Sequence, residues 1–233
     1  MTAIAAQIPF ELFEPEAPSL DNYLMGENEE AVALLRGIAS GQSPHQAVTL
    51  WGGPATGKTH LLSAAVSTAQ RAGRNSLFLS SHSQPAVDPF TDLDLLAADD
   101  VQSLDETGQT WLFTAFNHVI ARGGIVLAAA DAPPMQLSAV RDDLRTRLGS
   151  GVVTEIRAVP QDALAPLLLD HALQRGVGIS EEVLTYILSH SQRDVSHLCQ
   201  LIGGIDRYSL SLKRPITVPL VRGYFAQQMS LRR

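Results

Sequence analysis

Short apolar runs alternate with segments of helical apolar spacing between residues 47 and 156. The apolar runs predict five strands, over residues 47–51, 76–80, 93–98, 125–130 and 152–156. Helical spacing predicts helices over residues 58–72, 106–121 and 141–148, and an earlier helix beginning after Gly26 with one apolar face formed by Ala31, Leu34, Leu35 and Ile38. Strands that alternate with helices indicate an α/β fold, in which a five-stranded parallel sheet is covered on both faces.

The strand pattern ends at Pro160. Beyond it, residues 162–175, 180–190 and 194–212 have the spacing of helices, and the second begins at Ser180, whose hydroxyl suits a helix N-cap. We therefore expect three segments: a tail over residues 1–25, an α/β base over residues 26–159, and a small all-helical subdomain over residues 160–233.

A glycine-rich segment joins the first predicted strand to the next helix and matches the pattern G-x-x-x-x-G-K-[ST]. Its residues are Gly52, Gly53, Pro54, Ala55, Thr56, Gly57, Lys58 and Thr59. In such a loop the backbone N–H groups surround phosphate oxygens, the lysine reaches the β- and γ-phosphates, and the hydroxyl ligates Mg²⁺. The alternative is a glycine-rich turn with a chance lysine. The strand–loop–helix context favours phosphate binding, and Lys58 is one of only two lysines in the chain.

Two acids, Asp99 and Asp100, end the apolar run over residues 93–98. At the carboxyl end of a neighbouring strand, Asp99 would complete the Mg²⁺ shell and Asp100 would orient or activate water. The alternative is a solvated turn that happens to carry two acids. The apolar run begins about 35 residues after the glycine-rich loop, which favours the functional interpretation. Asp92 and Asp94 are expected to face solvent where this strand begins.

Charge and composition exclude other classes of protein. The formal net charge is −7, and seven acids lie in the first 35 residues, which contain no Lys or Arg. An acidic chain lacks the positive charge needed to bind DNA without a partner. The longest aliphatic run has six residues, against the roughly 20 of a membrane-spanning helix. With no apolar leader and one cysteine, Cys199, the chain is expected to be cytoplasmic, to avoid membranes and to make no direct sequence-specific DNA contact.

These motifs together resemble the AAA+ module of the bacterial replication initiator DnaA. The resemblance rests on the glycine-rich loop, the strand ending in Asp99 and Asp100, a later strand ending in Asp131 and two prolines, and the segment from Asp143 to Leu148. DnaA continues into a helix-turn-helix DNA-binding domain, which we do not expect in this chain. The shortened architecture resembles the Hda family of DnaA-related regulatory inactivators. The implied fold is an AAA+ base with a helical lid.

The resemblance implies roles for two residues outside the loop. Asp131 matches the first sensor position, near the γ-phosphate, although an Asp before Ala-Pro-Pro is also a common turn initiator. Arg147 matches the arginine finger, which stabilises transition-state charge on a neighbour's nucleotide. The alternative is that the arginines of this segment only pair with its own acids, Asp142 and Asp143, and Arg145 is the second candidate for the finger.

Other nucleotide contacts follow from the same resemblance. Leu24 and Met25 are expected to line the adenine pocket, and His60 is included because it follows the loop directly on the helix. The lid departs from the family pattern, because Ser196 stands where a second-sensor arginine is expected. Arg193, one turn earlier, is the candidate replacement. Weak or absent intrinsic ATP hydrolysis is therefore expected.

The N-terminal residues Gln7, Ile8, Pro9 and Phe10 resemble the short peptide that docks replication proteins on the polymerase sliding clamp. A glutamine followed by apolar anchors can bind preformed pockets as an extended peptide. A second apolar pair, Leu12 and Phe13, leaves the register of such docking open, and an acidic tail with scattered apolar residues is the alternative.

The sequence thus leads to three hypotheses. The first is an AAA+ regulator that carries ADP or ATP with Mg²⁺, docks on the sliding clamp and stimulates hydrolysis of DnaA-bound ATP, with a homodimer or oligomer possible. The second is a self-sufficient ATPase of the helicase-loader type. The third is a binding module whose nucleotide is structural.

Overall fold

The computed structural model of the protein describes residues 17–81, 87–191 and 195–231. The chain divides into two compact units, Pro18–Val159 and the segment from Pro160 onward. Among the described residues no helix is long and apolar enough to cross a membrane.

The first unit is built on a parallel sheet of five strands: β1 (Ala47–Trp51), β2 (Ser76–Leu79), β3 (Leu95–Ala98), β4 (Ile125–Ala130) and β5 (Val152–Glu155). The strand order is β2-β3-β4-β1-β5, and every neighbouring pair is parallel. The predicted five-stranded parallel sheet is confirmed. Strand β3 begins two residues later than its apolar run, because the Asp94 N–H donates to the Asn75 carbonyl before the ladder with β2 starts.

Four helices cover the two faces of this sheet: α1 (Glu29–Ala39), α2 (Lys58–Arg71), α3 (Glu106–Ala121) and α4 (Asp142–Leu148). Side chains alternate between the faces along each strand. Val48 and Leu50 of β1 pack with α1 and α2, whereas Ala47 of the same strand packs with α3 and α4. Both faces are therefore buried, which explains why the strands read as continuous apolar runs.

The described residues of the second unit form four helices: α5 (Gln161–Gln174), α6 (Glu181–His190), α7 (Val195–Leu212) and α8 (Val218–Leu231). Ser180 caps α6 as expected, because its Oγ accepts a hydrogen bond from the Val183 N–H. Helix α8 is absent from the sequence-based prediction. It packs closely on α7, where a Cβ atom at Gly204 would lie 2.2 Å from the Tyr224 hydroxyl.

Candidate functional site

The glycine-rich loop lies at the carboxyl edge of the sheet, between the end of β1 and the start of α2. Two of its glycines are required by the surrounding structure. A Cβ atom at Gly52 would lie 2.3 Å from the Ile156 carbonyl oxygen, and Gly57 has the left-handed φ of +89°. Ala55 has a φ of +58°, which a residue with a Cβ atom adopts at a cost of about 1 kcal/mol. The loop is therefore held in a strained conformation, as loops at functional sites often are.

Lys58 extends back over the loop from the first turn of α2. It is buried, and its Nζ donates hydrogen bonds to the carbonyl oxygens of Gly52, at 2.7 Å, and Gly53, at 2.8 Å. Burial lowers the pKa of the Lys58 ammonium, while the negative charges of Asp100, Asp99 and Asp131 raise it. The ammonium thus lies at the loop, with three carboxylates near enough to raise its pKa.

Asp99 follows β3 and is buried at the same edge. It forms a side-chain hydrogen bond with Thr59, and burial, followed by the charge of Asp100, raises the pKa of its carboxyl group. A hydroxyl and a carboxylate in direct contact are the oxygen ligands that Mg²⁺ uses beside a nucleotide. The donor set fits a magnesium ion carried by Thr59 and Asp99.

Asp100 and Asp131 lie at this edge with more exposure to solvent. Asp100 has a left-handed φ of +46°, its N–H donates to Asp99 Oδ1 at 3.1 Å, and its own Oδ1 accepts from Gln102 Nε2 at 3.4 Å. Asp131 follows β4 and is exposed. The structure therefore brings the predicted loop, both acids after β3 and the acid after β4 together at one edge of the sheet.

The segment before α1 covers the loop through residues that the sequence patterns did not identify. The buried Tyr23 hydroxyl donates to the Thr56 carbonyl oxygen at 3.0 Å and accepts from Asn28 Nδ2 at 3.1 Å. Asn28 is tied in turn to Arg157, donating to its carbonyl oxygen at 2.9 Å and accepting from its N–H at 2.8 Å. These contacts join residues up to 129 positions apart, so no local spacing could have indicated them.

Three further residues predicted to contact nucleotide belong to this covering segment or contact it. Leu24 is buried, and Met25 is partly buried against the core beneath α1 and α2. His60 Nε2 lies 2.9 Å from the Ser19 carbonyl oxygen, and its ring centroid is 5.7 Å from that of Tyr23. His60 thus contacts the covering segment.

The three arginines of the α4 region differ in their surroundings. Arg141 pairs with Asp143 at 2.7 Å, and Arg145 pairs with Asp142. Arg147 is exposed and forms no ion pair within the described part of the chain. Local pairing therefore accounts for two of the arginines and leaves Arg147 available to an external anion.

Arg147 lies at the sheet edge opposite the glycine-rich loop. It lines a cavity of about 510 Å³ together with residues that precede or begin β1 and β5, among them Gln46, Ala47, Gly151 and Val152. Strand β1 separates this cavity from the loop, and five residues at roughly 3.3 Å each span about 16 Å. Arg147 therefore lies at the far edge of the sheet from the glycine-rich loop of its own chain.

Some predicted residues lie outside the described part of the chain. These are the N-terminal residues Gln7, Ile8, Pro9 and Phe10, the second pair Leu12 and Phe13, and Arg193. Ser196 lies within α7.

Two family models match successive parts of the chain. The model described as the bacterial DnaA ATPase domain matches residues 82–155, and the model described as the lid domain of Hda matches residues 161–225. Together they cover the sheet unit from β3 to β5 and most of the helical unit.

Similar whole proteins include a chromosomal replication initiator protein DnaA from Corynebacterium aurimucosum, 27% identical over 225 residues, with 87% of this chain and 41% of DnaA covered. An uncharacterized protein of Haemophilus influenzae is 26% identical, with 93% and 96% covered. A solved DnaA bound to AMPPCP and single-stranded DNA superposes with a TM-score of 0.65 at 25% identity, over 82% of this chain and 65% of that one. The chain thus spans less than half of the DnaA sequence it matches.

Proposed function

Because the chain belongs to the DnaA-related AAA+ family, with a lid of the Hda type, we propose that it is a nucleotide-binding regulator of replication initiation that acts on DnaA. In this proposal it stimulates hydrolysis of DnaA-bound ATP and so inactivates the initiator. The chemistry takes place at the nucleotide of the partner, and this chain supplies a residue to it.

The position of Arg147 carries the proposal. Arg147 is exposed beside a cavity at the edge opposite its own glycine-rich loop, while the two neighbouring arginines are paired with acids. A guanidinium that faces away from its own nucleotide can stabilise phosphoryl-transfer charge only on a second molecule. Such a group supplied in trans accelerates hydrolysis by roughly 10³- to 10⁵-fold.

The chain's own nucleotide site would hold ADP or ATP, and the bound nucleotide would set the conformation of the protein. Lys58 and the loop N–H groups would bind the phosphates, and Thr59 and Asp99 would hold Mg²⁺, which neutralises phosphate charge when bound. Asp100 and Asp131 would lie beside the terminal phosphate. The AMPPCP bound to the similar DnaA supports an adenine nucleotide here.

Sliding-clamp docking through Gln7, Ile8, Pro9 and Phe10 remains part of the proposal on the strength of the sequence. It would concentrate the regulator where replication has already begun, because the clamp encircles DNA at that point. Capture by immobilised clamp should be lost with Gln7→Ala.

The test is reconstitution with DnaA preloaded with labelled ATP, DNA-loaded clamp and this protein. The expected result is faster hydrolysis of DnaA-bound ATP. Arg147→Ala should lower this stimulated rate at least ~100-fold. Arg122→Ala is the matched control, because it removes an arginine that is paired with Asp92 and with no residue of α4, and it should behave as wild type. Full activity of Arg147→Ala would overturn the assignment of Arg147 as the arginine finger. Clamp-independent ATP turnover by the isolated chain, abolished by Lys58→Ala, would instead indicate a helicase-loader type of ATPase.

A further inference from the structure

Helix α4, which carries Arg147, is too short to hold its own orientation. It has seven residues, whereas isolated helices shorter than about 12 residues are marginal in water. Leu144 and Leu148 are buried beneath it, but apolar contacts alone permit small rotations and shifts. The direction in which Arg147 points must therefore depend on how the ends of the helix are fixed.

A buried glutamine of α3 holds the beginning of α4. Gln109 Oε1 accepts a hydrogen bond from the N–H of Arg141, the N-cap residue, at 2.9 Å. Its Nε2 donates to the carbonyl oxygens of Leu104 and Ala139, each at 3.0 Å. The first N–H groups of a helix have no partner within it. Gln109 thus supplies an acceptor there and ties the segment before α4 to α3.

A buried threonine of β1 holds the end of α4. Thr49 Oγ1 donates to the carbonyl oxygen of Leu148, the last residue of the helix, at 2.8 Å. The last carbonyl groups of a helix also have no partner within it. Thr49 pairs with Ala128 and Val153 on the neighbouring strands and is therefore fixed in the centre of the sheet. Leu148 directly follows Arg147, so this bond acts one residue from the finger.

We propose that Thr49 and Gln109 are positioning residues for Arg147, which hold both ends of α4 so that the guanidinium points at the nucleotide of the partner. The proposal rests on the proposed function. Neither side chain touches the reacting groups, and both act through the helix. Thr49 also lies three residues before Gly52, so the strand that fixes the finger is the strand that leads into the chain's own phosphate-binding loop.

The reconstituted hydrolysis assay separates positioning from binding. Thr49→Val keeps the shape of the side chain and removes only the hydroxyl, and Gln109→Met removes three hydrogen bonds at similar length. Each should lower the maximal stimulated rate by about 10-fold, because small misplacement of a catalytic group has large kinetic effects. The concentration for half-maximal stimulation should change less than about twofold. Thr49→Ser, which restores the hydroxyl, should recover the rate.

Thr68→Val is the matched control. Thr68 Oγ1 donates to the Ala64 carbonyl oxygen at the same 2.8 Å, but within α2, and its loss should leave the maximal rate unchanged. Wild-type maximal rates for Thr49→Val and Gln109→Met, with Arg147→Ala inactive, would overturn the positioning role and leave the proposed function standing. Full activity of Arg147→Ala would overturn its assignment as the finger, and absence of stimulation by the wild-type protein would overturn the proposed function itself.

Hydrogen exchange on the isolated chain tests the same contacts without DnaA. Loss of one buried hydrogen bond of about 1 kcal/mol should speed the exchange of amides in the last turn of α4 about fivefold in Thr49→Val. Amides of α1 should be unaffected. Unchanged protection of α4 in both Thr49→Val and Gln109→Met would contradict the proposal, whatever the assay gives.

Discussion

The Tyr23 ring occupies the space beside Gly57 that any larger residue at position 57 would need. A Cβ atom on Gly57 would lie 2.6 Å from Tyr23 Cε2, and the Tyr23 hydroxyl donates to the carbonyl oxygen of the preceding Thr56. The phosphate-binding loop is therefore shaped from outside by the segment that precedes α1. Changes in either partner should affect both the loop and the stability of the sheet unit.

Tyr23→Phe should lower the free energy of unfolding by about 1–3 kcal/mol. The substitution keeps the ring but leaves the Thr56 carbonyl and one N–H of Asn28 without their described partner, and buried polar groups that lose a partner carry a desolvation penalty of this size. Urea denaturation measures the change. Tyr186→Phe serves as the control, because the Tyr186 hydroxyl makes no hydrogen bond with a described residue, and an equal loss in that variant would contradict the role of Tyr23.

The same hydroxyl should make stability depend on pH in alkaline solution. Burial raises the pKa of Tyr23 to about 12, against a small opposing effect of the Asn28 hydrogen bond, while an unfolded tyrosine titrates near pH ~10. The folded state therefore favours the neutral phenol. This stabilisation is complete below pH ~10 and is lost as pH rises toward 12, by at most about 1.4 kcal/mol per pH unit. The difference in unfolding free energy between wild type and Tyr23→Phe should shrink over that range, and a constant difference would refute the assignment.

Lys58→Ala should weaken nucleotide binding without unfolding the protein. The ammonium is held by the Gly52 and Gly53 carbonyl oxygens at the loop, so its loss removes the positive charge nearest the expected phosphates and leaves the loop glycines in place. Titration with fluorescent ADP should show at least a 10-fold weaker affinity. Lys213→Ala, the other lysine, should bind as wild type. Unchanged affinity in Lys58→Ala would mean that the loop is not a phosphate site.

That the glycine-rich loop and the acids would lie together at one edge of the sheet was predictable, because the sequence signals for these elements are local. Each element has its own short sequence pattern: a strand, a glycine-rich loop, a helix, and a second strand that ends in acids. Because the strands are parallel, their carboxyl ends lie at one edge of the sheet. Tyr23 and Asn28 were missed because their partners lie 33 and 129 positions away. The helical pattern also could not predict which arginines pair, because it places both acids close to all three arginines. The structure shows that Arg141 and Arg145 are paired, whereas Arg147 forms no ion pair with a described residue.

Helix α8 was missed for a different reason. Among residues 218–228, the buried hydrophobic side chains are Leu220, Val221 and Tyr224. They fall within little more than one turn, which is too short a stretch to establish a helical period. In α3, Phe116 and Val119 are buried, whereas Trp111 and Phe113 are only partly buried. Trp111 instead donates its Nε1–H to the Val87 carbonyl oxygen. Polar contacts of this kind are set by the tertiary structure.

Lys213→Gly should raise the free energy of unfolding by about 1 kcal/mol. Lys213 directly follows α7 and has a left-handed φ of +52°, and the N–H of Arg214 closes the helix end on the Ser209 carbonyl oxygen. Glycine adopts this conformation without the penalty that a Cβ atom brings. Thermal unfolding should shift upward by roughly 2–4 °C. Lys213→Ala retains the Cβ atom and should show no such gain; an equal rise in both would point to the lost charge instead.

Asp99→Asn should stabilise the protein while removing its magnesium-dependent binding of nucleotide. Burial and the neighbouring Asp100 raise the pKa of Asp99, so the folded state favours the protonated form. That preference stabilises the fold in full only below the pKa of an unfolded aspartate. The stabilisation is lost as pH rises through the higher pKa of Asp99 in the folded protein. At pH 7 the buried charge is therefore a net cost, which a neutral amide of the same shape avoids while still able to bond Thr59.

The control for this prediction is Asp92→Asn. Asp92 is exposed and pairs with Arg122 at 2.7 Å and His118 at 3.2 Å, so neutralising it relieves no burial and should leave the melting temperature unchanged or slightly lower. Asp99→Asn should melt higher than wild type in the absence of nucleotide, and added Mg-ADP should stabilise only the wild type. A lower melting temperature for Asp99→Asn would show that the carboxylate stabilises the fold at neutral pH. Asp99 would then have a structural role. In the proposed role, the site keeps an unfavourable buried charge because a cation neutralises that charge when nucleotide binds.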